Sequence, residues 1–284
     1  MIRIVTFNAA MQDIRFLSRS LYRPVAFIRH RLAGLVRGIR DLNADIVFLQ
    51  EIFHRDLQRR LYSELESVYP HGAGFAGGGF KCRLGNELLM LSKFPLYGES
   101  LIRFRRASVE ERLFTSRGLY RCRTRLPGAG EVELITFHMS AGGIGRHPEN
   151  RRMEALRRGQ VDQLLDSACP DLPVIMAGDL NAGPHSSVSS YRALLQAGYS
   201  DAFTVGGGTG ITWDPGNPLV AAGRENHLQP QRIDHVFING KAGARLRPVN
   251  SRIVLHGPSV LLEDGRAVPV SDHYGILVDF RLCR

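Results

Sequence analysis

The residues best suited to chemistry stand beside short apolar runs of the sequence. Glu51 closely follows the apolar residues 46–49, and Asp179 closely follows residues 174–177. Strand ends commonly present functional side chains, because the body of the strand holds them rigidly. Repetition of this placement along the chain predicts a common site. The residues placed in this way are Asn8, Glu51, His138, Asp179, Asn181, Asp234, Asp272 and His273.

The types of these side chains indicate binding of a hard cation. They offer carboxylates, amides and imidazoles, a donor set that suits Mg²⁺ or Mn²⁺. Asp234 stands inside an apolar run, where a carboxylate requires a partner or a shifted pKa. Neither a cysteine-bound zinc site nor a disulfide framework is expected, because the four cysteines have no CxxC spacing. They are Cys82, Cys122, Cys169 and Cys283.

The elements that must position these residues alternate between short apolar strands and amphipathic helices. The periodicity predicts helices over 24–40, 57–65, 148–165 and 188–196, and loops over 72–79 and 206–230. A Pro-Gly turn at 127–128 predicts a hairpin. The predicted strands are 2–7, 46–49, 87–92, 119–125, 132–138, 173–177, 232–238, 252–255 and 275–280. This order favours one α/β domain over residues 1–284, with two mixed sheets packed face to face and helices outside.

The charge of the chain is compatible with several partners. Basic residues outnumber acidic ones by 37 to 27, a formal net charge of +10 that comes mostly from arginine. Because a guanidinium group binds phosphate through two hydrogen bonds, the partner could be nucleic acid, an anionic membrane or a phosphorylated small molecule. Solvated arginines would give the same count, so the charge alone names no partner.

The sequence predicts a location inside the cell. It contains no run of 18 apolar residues, and no charged and then apolar leader precedes the strand at 2–7. We therefore expect a cytoplasmic protein, with peripheral contact to a membrane surface or export without a leader as alternatives. The oligomeric state stays open.

The segment 142–158 is a candidate wall of the site, and two interpretations of it remain. Its basic residues could attract a phosphate or an anionic bilayer; they are Arg146, His147, Arg151 and Arg152. Alternatively, the arginines are the solvated face of an amphipathic helix. The apolar residues that would then point inwards are Met153, Leu156 and Leu164.

The polar motifs, taken in order, resemble those of the endonuclease/exonuclease/phosphatase superfamily. They span residues 6 to 274 and occur in the order typical of that family. The resemblance implies a four-layered α/β sandwich with its site at one edge of the two central sheets. The motifs are Thr6-Phe7-Asn8, Leu49-Gln50-Glu51, Phe137-His138, Gly178-Asp179-Leu180-Asn181, Arg232-Ile233-Asp234-His235 and Ser271-Asp272-His273-Tyr274.

Within that superfamily, the segments 178–184, 212–214 and 231–237 look most similar to neutral sphingomyelinases. Those enzymes are Mg²⁺-dependent phospholipases C that release phosphocholine. The chain departs from them at His235, where a tyrosine is more usual, and it lacks a stretch of paired aromatic residues that could grip a membrane.

Three alternatives remain beside the lipid branch. Repair endonucleases carry Gln-Glu-Thr-Lys where this chain has residues 50–53 as Gln-Glu-Ile-Phe. Inositol polyphosphate phosphatases follow Gly-Asp-Leu-Asn with Tyr-Arg-Leu, whereas residues 182–184 are Ala-Gly-Pro. A nuclease acting on DNA or RNA is the main alternative function, and a binding module without catalysis is a further one.

The resemblance also implies a role for each residue of the metal site. Glu51 would bind Mg²⁺ directly, with Mn²⁺ or Co²⁺ as substitutes. Asn8 would help directly or through water. Asp272 would support a second metal. The substrate would be a phospholipid or another phosphodiester.

Five residues would act on the substrate. Asp179 would orient or deprotonate the attacking water, and Asn181 would donate a hydrogen bond to a phosphoryl oxygen. His273 would contact the phosphate or act as acid–base catalyst, with Asp234 fixing its tautomer. His138 would bind substrate and stabilise the transition state or assist the departing oxygen. The sequence leaves open which histidine is the acid and which the base.

Overall fold

The computed structural model describes residues 1–16, 19–75, 86–114, 117–141, 150–221 and 228–283. These residues form sixteen strands and eight helices. The strands are β1 (Ile2–Asn8), β2 (Ile14–Phe16), β3 (Arg19–Tyr22), β4 (Ile46–Gln50), β5 (His71–Ala73), β6 (Leu89–Ser92), β7 (Leu96–Arg103), β8 (Gly118–Leu126), β9 (Gly130–His138), β10 (Val174–Asp179), β11 (Ser200–Asp201), β12 (Asp234–Ile238), β13 (Leu246–Val254), β14 (Val260–Leu261), β15 (Ala267–Val268) and β16 (Gly275–Leu282). The helices are α1 (Ile28–Leu42), α2 (Arg55–Leu65), α3 (Val109–Phe114), α4 (Arg151–Ser167), α5 (Val188–Gln196), α6 (Ala202–Val205), α7 (Pro218–Ala221) and α8 (Gly240–Gly243).

Two six-stranded sheets organise the chain. The first has the order β13-β16-β1-β4-β6-β5, and the second has the order β11-β12-β10-β9-β8-β7. Each contains one central parallel pair, β1 with β4 and β9 with β10, flanked by antiparallel strands. Both sheets are therefore mixed, as the sequence predicts.

Side-chain alternation along the strands creates the layers. In β1, Ile2 and Ile4 join the apolar cluster between the sheets, whereas Val5 and Phe7 pack in the cluster that contains α1 and α2. In the second sheet, the outward residues pack in a separate cluster with α4 and α5. Because each sheet buries both faces, the strands consist largely of apolar residues. The predicted four-layered α/β sandwich is confirmed.

The rows of residues between the sheets turn polar at one end of the sandwich. In β9 the inward row runs from Leu134 through Thr136 to His138, and in β10 it runs from Ile175 through Ala177 to Asp179. The same two-residue period that builds the apolar core thus directs these polar side chains to one edge of both sheets.

Several predicted element bounds need correction. Helix α1 begins at Ile28 rather than at 24, because Phe27 adopts a left-handed backbone with φ 61°. The predicted loop 72–79 begins inside strand β5, and its residues 76–79 lie outside the described part. The predicted loop 206–230 contains α7, and its residues 222–227 are also outside the described part. Helix α5 and the 118–138 hairpin are confirmed.

None of the helices in the described ranges has both the length and the apolar character needed to cross a bilayer.

Candidate functional site

All eight predicted site residues lie at the edge where the inward rows turn polar. Contacts join them into one group: Asn8 Nδ2 donates to Asp179 Oδ2 over 3.0 Å and to Glu51 Oε1 over 3.3 Å. Asp272 joins through Ser271, whose Oγ lies 2.7 Å from Asn8 O and 3.2 Å from Asp272 Oδ1. The structure therefore brings the predicted residues together.

Asp179 occupies the centre of the group. Its Oδ1 accepts a hydrogen bond from the Asn181 backbone N–H over 2.8 Å. Near its Oδ2 stand two imidazole Nε2 atoms, His138 at 3.5 Å and His273 at 3.8 Å. Gly178 makes this placement possible, because a Cβ at that position would lie 2.0 Å from Phe137 O. The two parallel strands thus approach closely enough to set Asp179 beside His138.

Asp234 supports His273 from the opposite side of the ring. The two side chains meet at 2.9 Å between Asp234 Oδ2 and His273 Nδ1, and Asp234 is fully buried. Among the described residues, Asp234 Oδ1 has no hydrogen-bond partner. Burial alone would lower the pKa of His273, but the carboxylates of Asp234 and Asp179 outweigh it and raise that pKa well above its usual value. The contact with Asp234 therefore favours the protonated form of His273.

Glu51 and Asp272 are the two carboxylates predicted to bind metal, Glu51 directly and Asp272 through a second ion. Burial raises the pKa of Glu51; the charge of His138 opposes this effect, and the nearby charge of Asp272 adds to it. A divalent cation would offset both increases, so this pair fits a metal that takes oxygen ligands. The Asn8 side chain directs its nitrogen towards the carboxylates, while its Oδ1 accepts from Ala10 N over 3.0 Å. This orientation favours an indirect role for Asn8.

A second group of potential ligands lies beside the first. Within the described part of the chain, one ligand atom from each of Asp179, Asp234 and His273 falls within 4.8 Å of the others. His273 Nδ1, however, is already committed to Asp234. A cation there would have to replace contacts that the three residues make with one another.

Backbone strain is concentrated at the site. Seven described residues other than glycine have a positive φ, and three of them are Ala10 at 49°, Glu51 at 60° and Asn181 at 50°. Such conformations cost free energy and persist where the surroundings impose them. The turn at Asn181 also lets its Nδ2 donate to Met139 O over 3.0 Å, which leaves its second N–H for a ligand.

Three charged residues around the site, which are buried or nearly so, were not among the predicted ones: Glu87, Arg117 and Arg31. Glu87 lies 3.1 Å from both His138 and Arg117, and Arg31 donates to the backbone carbonyls of Ala9, Ala10 and Val270. Signals in the sequence could have found two of them. Glu87 directly precedes the apolar residues 88–91, and Arg31 falls on the apolar stripe of its helix with Ile28 and Leu35.

His235, which departs from the resemblance, lies outside the site. Its side chain leaves β12 on the outer face and stacks near Phe237, with ring centroids 5.1 Å apart. His235 Nε2 donates to Ala182 O over 2.9 Å, so its Nδ1 is the acceptor that faces Arg232 NH1 at 2.8 Å. The same Arg232 NH1 is 2.7 Å from Asp201 Oδ2, which also accepts from the Tyr191 hydroxyl. The histidine in place of tyrosine at position 235 therefore affects packing on the outer face of the sheet, away from the site.

The basic segment 142–158 is described only from residue 150 onwards. Asn150 caps α4, Arg151 and Arg152 are exposed, and Met153 and Leu164 are buried. These positions fit an amphipathic helix with solvated arginines. The predicted contributions of Arg146 and His147 lie outside the described residues.

Comparisons with known proteins agree with this fold. A Drosophila melanogaster protein named "Putative neutral sphingomyelinase" is 25% identical over 266 residues, which are 89% of this chain. This chain spans 57% of the length of that relative.

Two solved structures share the fold. A mutant of Staphylococcus aureus beta toxin with bound magnesium ions has a TM-score of 0.78 at 18% identity, covering 98% of each chain. D. rerio TDP2 complexed with single-strand DNA product has a TM-score of 0.69 at 21% identity, covering 99% of this chain and 98% of that one.

The profile of the Endonuclease/Exonuclease/phosphatase family matches residues 5–273, a span that contains all eight predicted site residues. The chain belongs to the Endonuclease/Exonuclease/phosphatase family.

Proposed function

We propose that this chain is a single catalytic domain that hydrolyses phosphodiesters with Mg²⁺, most readily sphingomyelin or a related phospholipid with release of phosphocholine. One observation carries the proposal: the buried Asp179 carboxylate lies between two imidazole Nε2 atoms and next to Asn8, which also contacts Glu51. Acid–base groups and a cation site thus share one edge of the sandwich.

The metal is proposed to bind at Glu51, with Asn8 acting through water and Asp272 supporting a second ion. A bound Mg²⁺ neutralises phosphate charge and acts as a Lewis acid on a phosphoryl oxygen. We prefer this location to the Asp179–Asp234–His273 group because burial raises the pKa of the Glu51 carboxyl, an effect that a bound cation would offset. Asp234 and His273 already compensate each other.

The remaining residues act on the water and the ester. Asp179 accepts hydrogen bonds from Asn8 and Asn181, which hold its carboxylate in place to orient or deprotonate the attacking water. Asp234 keeps a proton on His273 Nδ1, so that Nε2 faces the substrate beside Asp179. Asn181 is placed to donate to a phosphoryl oxygen, and His138 to bind the phosphate or assist the departing oxygen.

The lipid substrate is supported by local residues and by the named relative. Segments 178–184, 212–214 and 231–237 resemble the sphingomyelinase branch, and the curated relative carries that name. Ile52 and Phe53 are both buried beside Glu51, where repair nucleases carry Thr-Lys. The likeness to beta toxin and to TDP2 concerns the fold and does not choose between lipid and DNA.

A substrate panel with Mg²⁺ or with EDTA tests the proposal. We expect phosphocholine release from sphingomyelin in mixed micelles with Mg²⁺, none with EDTA, and much slower nicking of plasmid DNA. The matched control is Asp179→Ala, which should abolish release. The losses from Asp179→Ala, Asp234→Ala and His273→Ala should be far from additive, since the three groups act on one step.

A nuclease is the second candidate, because the net charge of +10 would attract a polyanion. Metal-dependent nicking of DNA without phosphocholine release would overturn the lipid assignment and favour that candidate. Stoichiometric binding of phospholipid without turnover of any ester would instead favour a binding module.

A further inference from the structure

A second buried carboxylate–histidine contact lies across the site from Asp234 and His273. Glu87 Oε2 is 3.1 Å from His138 Nδ1, and both side chains are 1% exposed. On the other side of the ring, His138 Nε2 is 3.5 Å from Asp179 Oδ2. His138 therefore stands between Glu87 and Asp179, as His273 stands between Asp234 and Asp179.

Arg117 holds Glu87 in this position. Its Nε is 3.1 Å from Glu87 Oε1, and its NH1 is 3.1 Å from Glu111 Oε1. The same NH1 donates to Met139 O over 3.0 Å. Because Met139 follows His138 in the chain, one guanidinium group restrains both the carboxylate behind the imidazole and the backbone beside it.

A contribution to folding stability does not by itself explain why these charged side chains are buried together. A buried ion pair can often be replaced by apolar residues of similar volume without loss of stability. The atoms that join Glu87 to Arg117 and His138 are within ion-pair distance but are not aligned for hydrogen bonds in the described structure. Contacts of catalytic groups often align only in the complex with substrate.

We propose that Glu87 is a positioning residue for His138. Its carboxylate accepts the proton on Nδ1 and so leaves Nε2 directed at the reacting phosphate beside Asp179, while Arg117 keeps the carboxylate in place. Glu87 itself does not touch the substrate. The inference rests on the proposed function, because the reacting phosphate is the one hydrolysed there.

Glu87→Gln tests this role. An amide cannot accept from Arg117 and from His138 at the same time, because its nitrogen end only donates. We expect kcat for sphingomyelin hydrolysis to fall by about 10- to 100-fold, the usual effect of losing a group that orients a ligand or catalyst. KM should stay nearly constant.

The matched control is Glu133→Gln: Glu133 is also buried and paired with an arginine, Arg121 at 3.5 Å, but is not part of the site. It should keep the wild-type kcat.

Two further measurements separate positioning from simple structural support. In a His138→Ala background, Glu87→Gln should cause no additional loss of kcat, because Glu87 acts through that ring. In ¹⁵N-histidine spectra, His138, identified by its absence in His138→Ala, should carry a proton on Nδ1 in the wild type and lose that signature in Glu87→Gln.

The spectra can be recorded without turnover. A protein with no hydrolytic activity would therefore refute the proposed function, while the effect of Glu87 on the His138 ring could still be measured. Wild-type kcat with an unchanged His138 resonance in Glu87→Gln would overturn the inference. The inference would also be overturned if Glu87→Gln reduced kcat by the same factor in the wild type and in the His138→Ala variant.

Discussion

Strand β12 carries two buried networks on opposite faces, and they differ in how completely their polar groups are satisfied. On the inner face, Asp234 contacts His273 but leaves Oδ1 without a partner in the described structure. On the outer face, Asp201 accepts from Tyr191 and pairs with Arg232, which in turn faces His235.

The difference indicates what each network does. Burial of a polar group without a partner costs free energy, so a complete network such as that of Asp201 is typical of structural support. An incomplete one persists where a ligand or a reaction supplies the missing contact. Residues 234 and 235 are neighbours in sequence, yet the period of the strand assigns one to each network.

The largest expected effect comes from breaking the inner network. Asp234→Asn should reduce kcat by roughly 10³–10⁴-fold, because an amide no longer fixes the tautomer and charge of His273. The free energy of unfolding should change much less than kcat. Steady-state kinetics and urea denaturation on the same preparation measure both, and a variant that retains kcat would remove Asp234 from the mechanism.

Glu51→Gln separates the metal site from the inner network. We expect turnover to fall by several orders of magnitude at low Mg²⁺, with weaker Mg²⁺ binding by calorimetry, because a charged ligand is lost. Asp234→Asn should bind Mg²⁺ as the wild type does. The opposite pattern, with Mg²⁺ binding lost in Asp234→Asn alone, would place the ion at Asp179, Asp234 and His273.

Asp201→Asn should break the outer network. We expect it to lower the free energy of unfolding and to leave kcat nearly unchanged. Arg232 would then be buried without its carboxylate, and the free energy of unfolding should fall by about 3 kcal/mol. The kcat of the folded fraction should remain within about threefold of wild type, since such a change lies outside the reacting groups. Urea denaturation and active-site-normalised kinetics provide the check; a large loss of kcat would mean that the two faces are coupled.

The pH dependence of stability sharpens the same contrast. Burial would raise the pKa of Asp201, but its contacts with His235 and Arg232 outweigh that effect and lower the pKa. The stabilisation is therefore fully present above the pKa of the unfolded carboxyl, about 3.9, and is lost as the pH falls below it. Denaturation between pH 6 and acid pH should show a smaller decline for Asp201→Asn than for wild type.

The smallest effect is expected at His235. In His235→Phe the ring can still pack against Phe237, but the hydrogen bonds to Ala182 O and from Arg232 are lost. We expect a loss of about 1–2 kcal/mol in the free energy of unfolding and an unchanged kcat. Thermal denaturation measures the first quantity, and a change in substrate preference would contradict the position of His235 behind the sheet.

Some parts of the site were predictable from the sequence, and the reason is local. His138 and Asp179 end apolar strands, so the two-residue period of each strand was enough to predict that both side chains point to the same edge of the sheet. Glu87 and Arg117 were not predictable as a pair, because their contact depends on the approach of β6 to β8 across the two sheets. Arg31 was visible as a charge on the apolar stripe of α1, but the backbone carbonyls that it binds, of Ala9, Ala10 and Val270, depend on the tertiary fold.

The pairing of β1 with β16 has a consequence for folding. Ile2 is opposite Phe280, and the Ser271 hydroxyl bonds to Asn8 O, so residues more than 260 positions apart must meet before the metal site exists. Contacts of such separation require closure of a very long loop and usually form late and slowly. During synthesis, the site that contains Asn8 and Glu51 therefore cannot form until the segment that carries Asp272 and His273 has been made and has paired through β16. We expect refolding to restore the helical circular dichroism signal before it restores Mg²⁺ binding, and chain fragments that end before β16 to lack the site altogether.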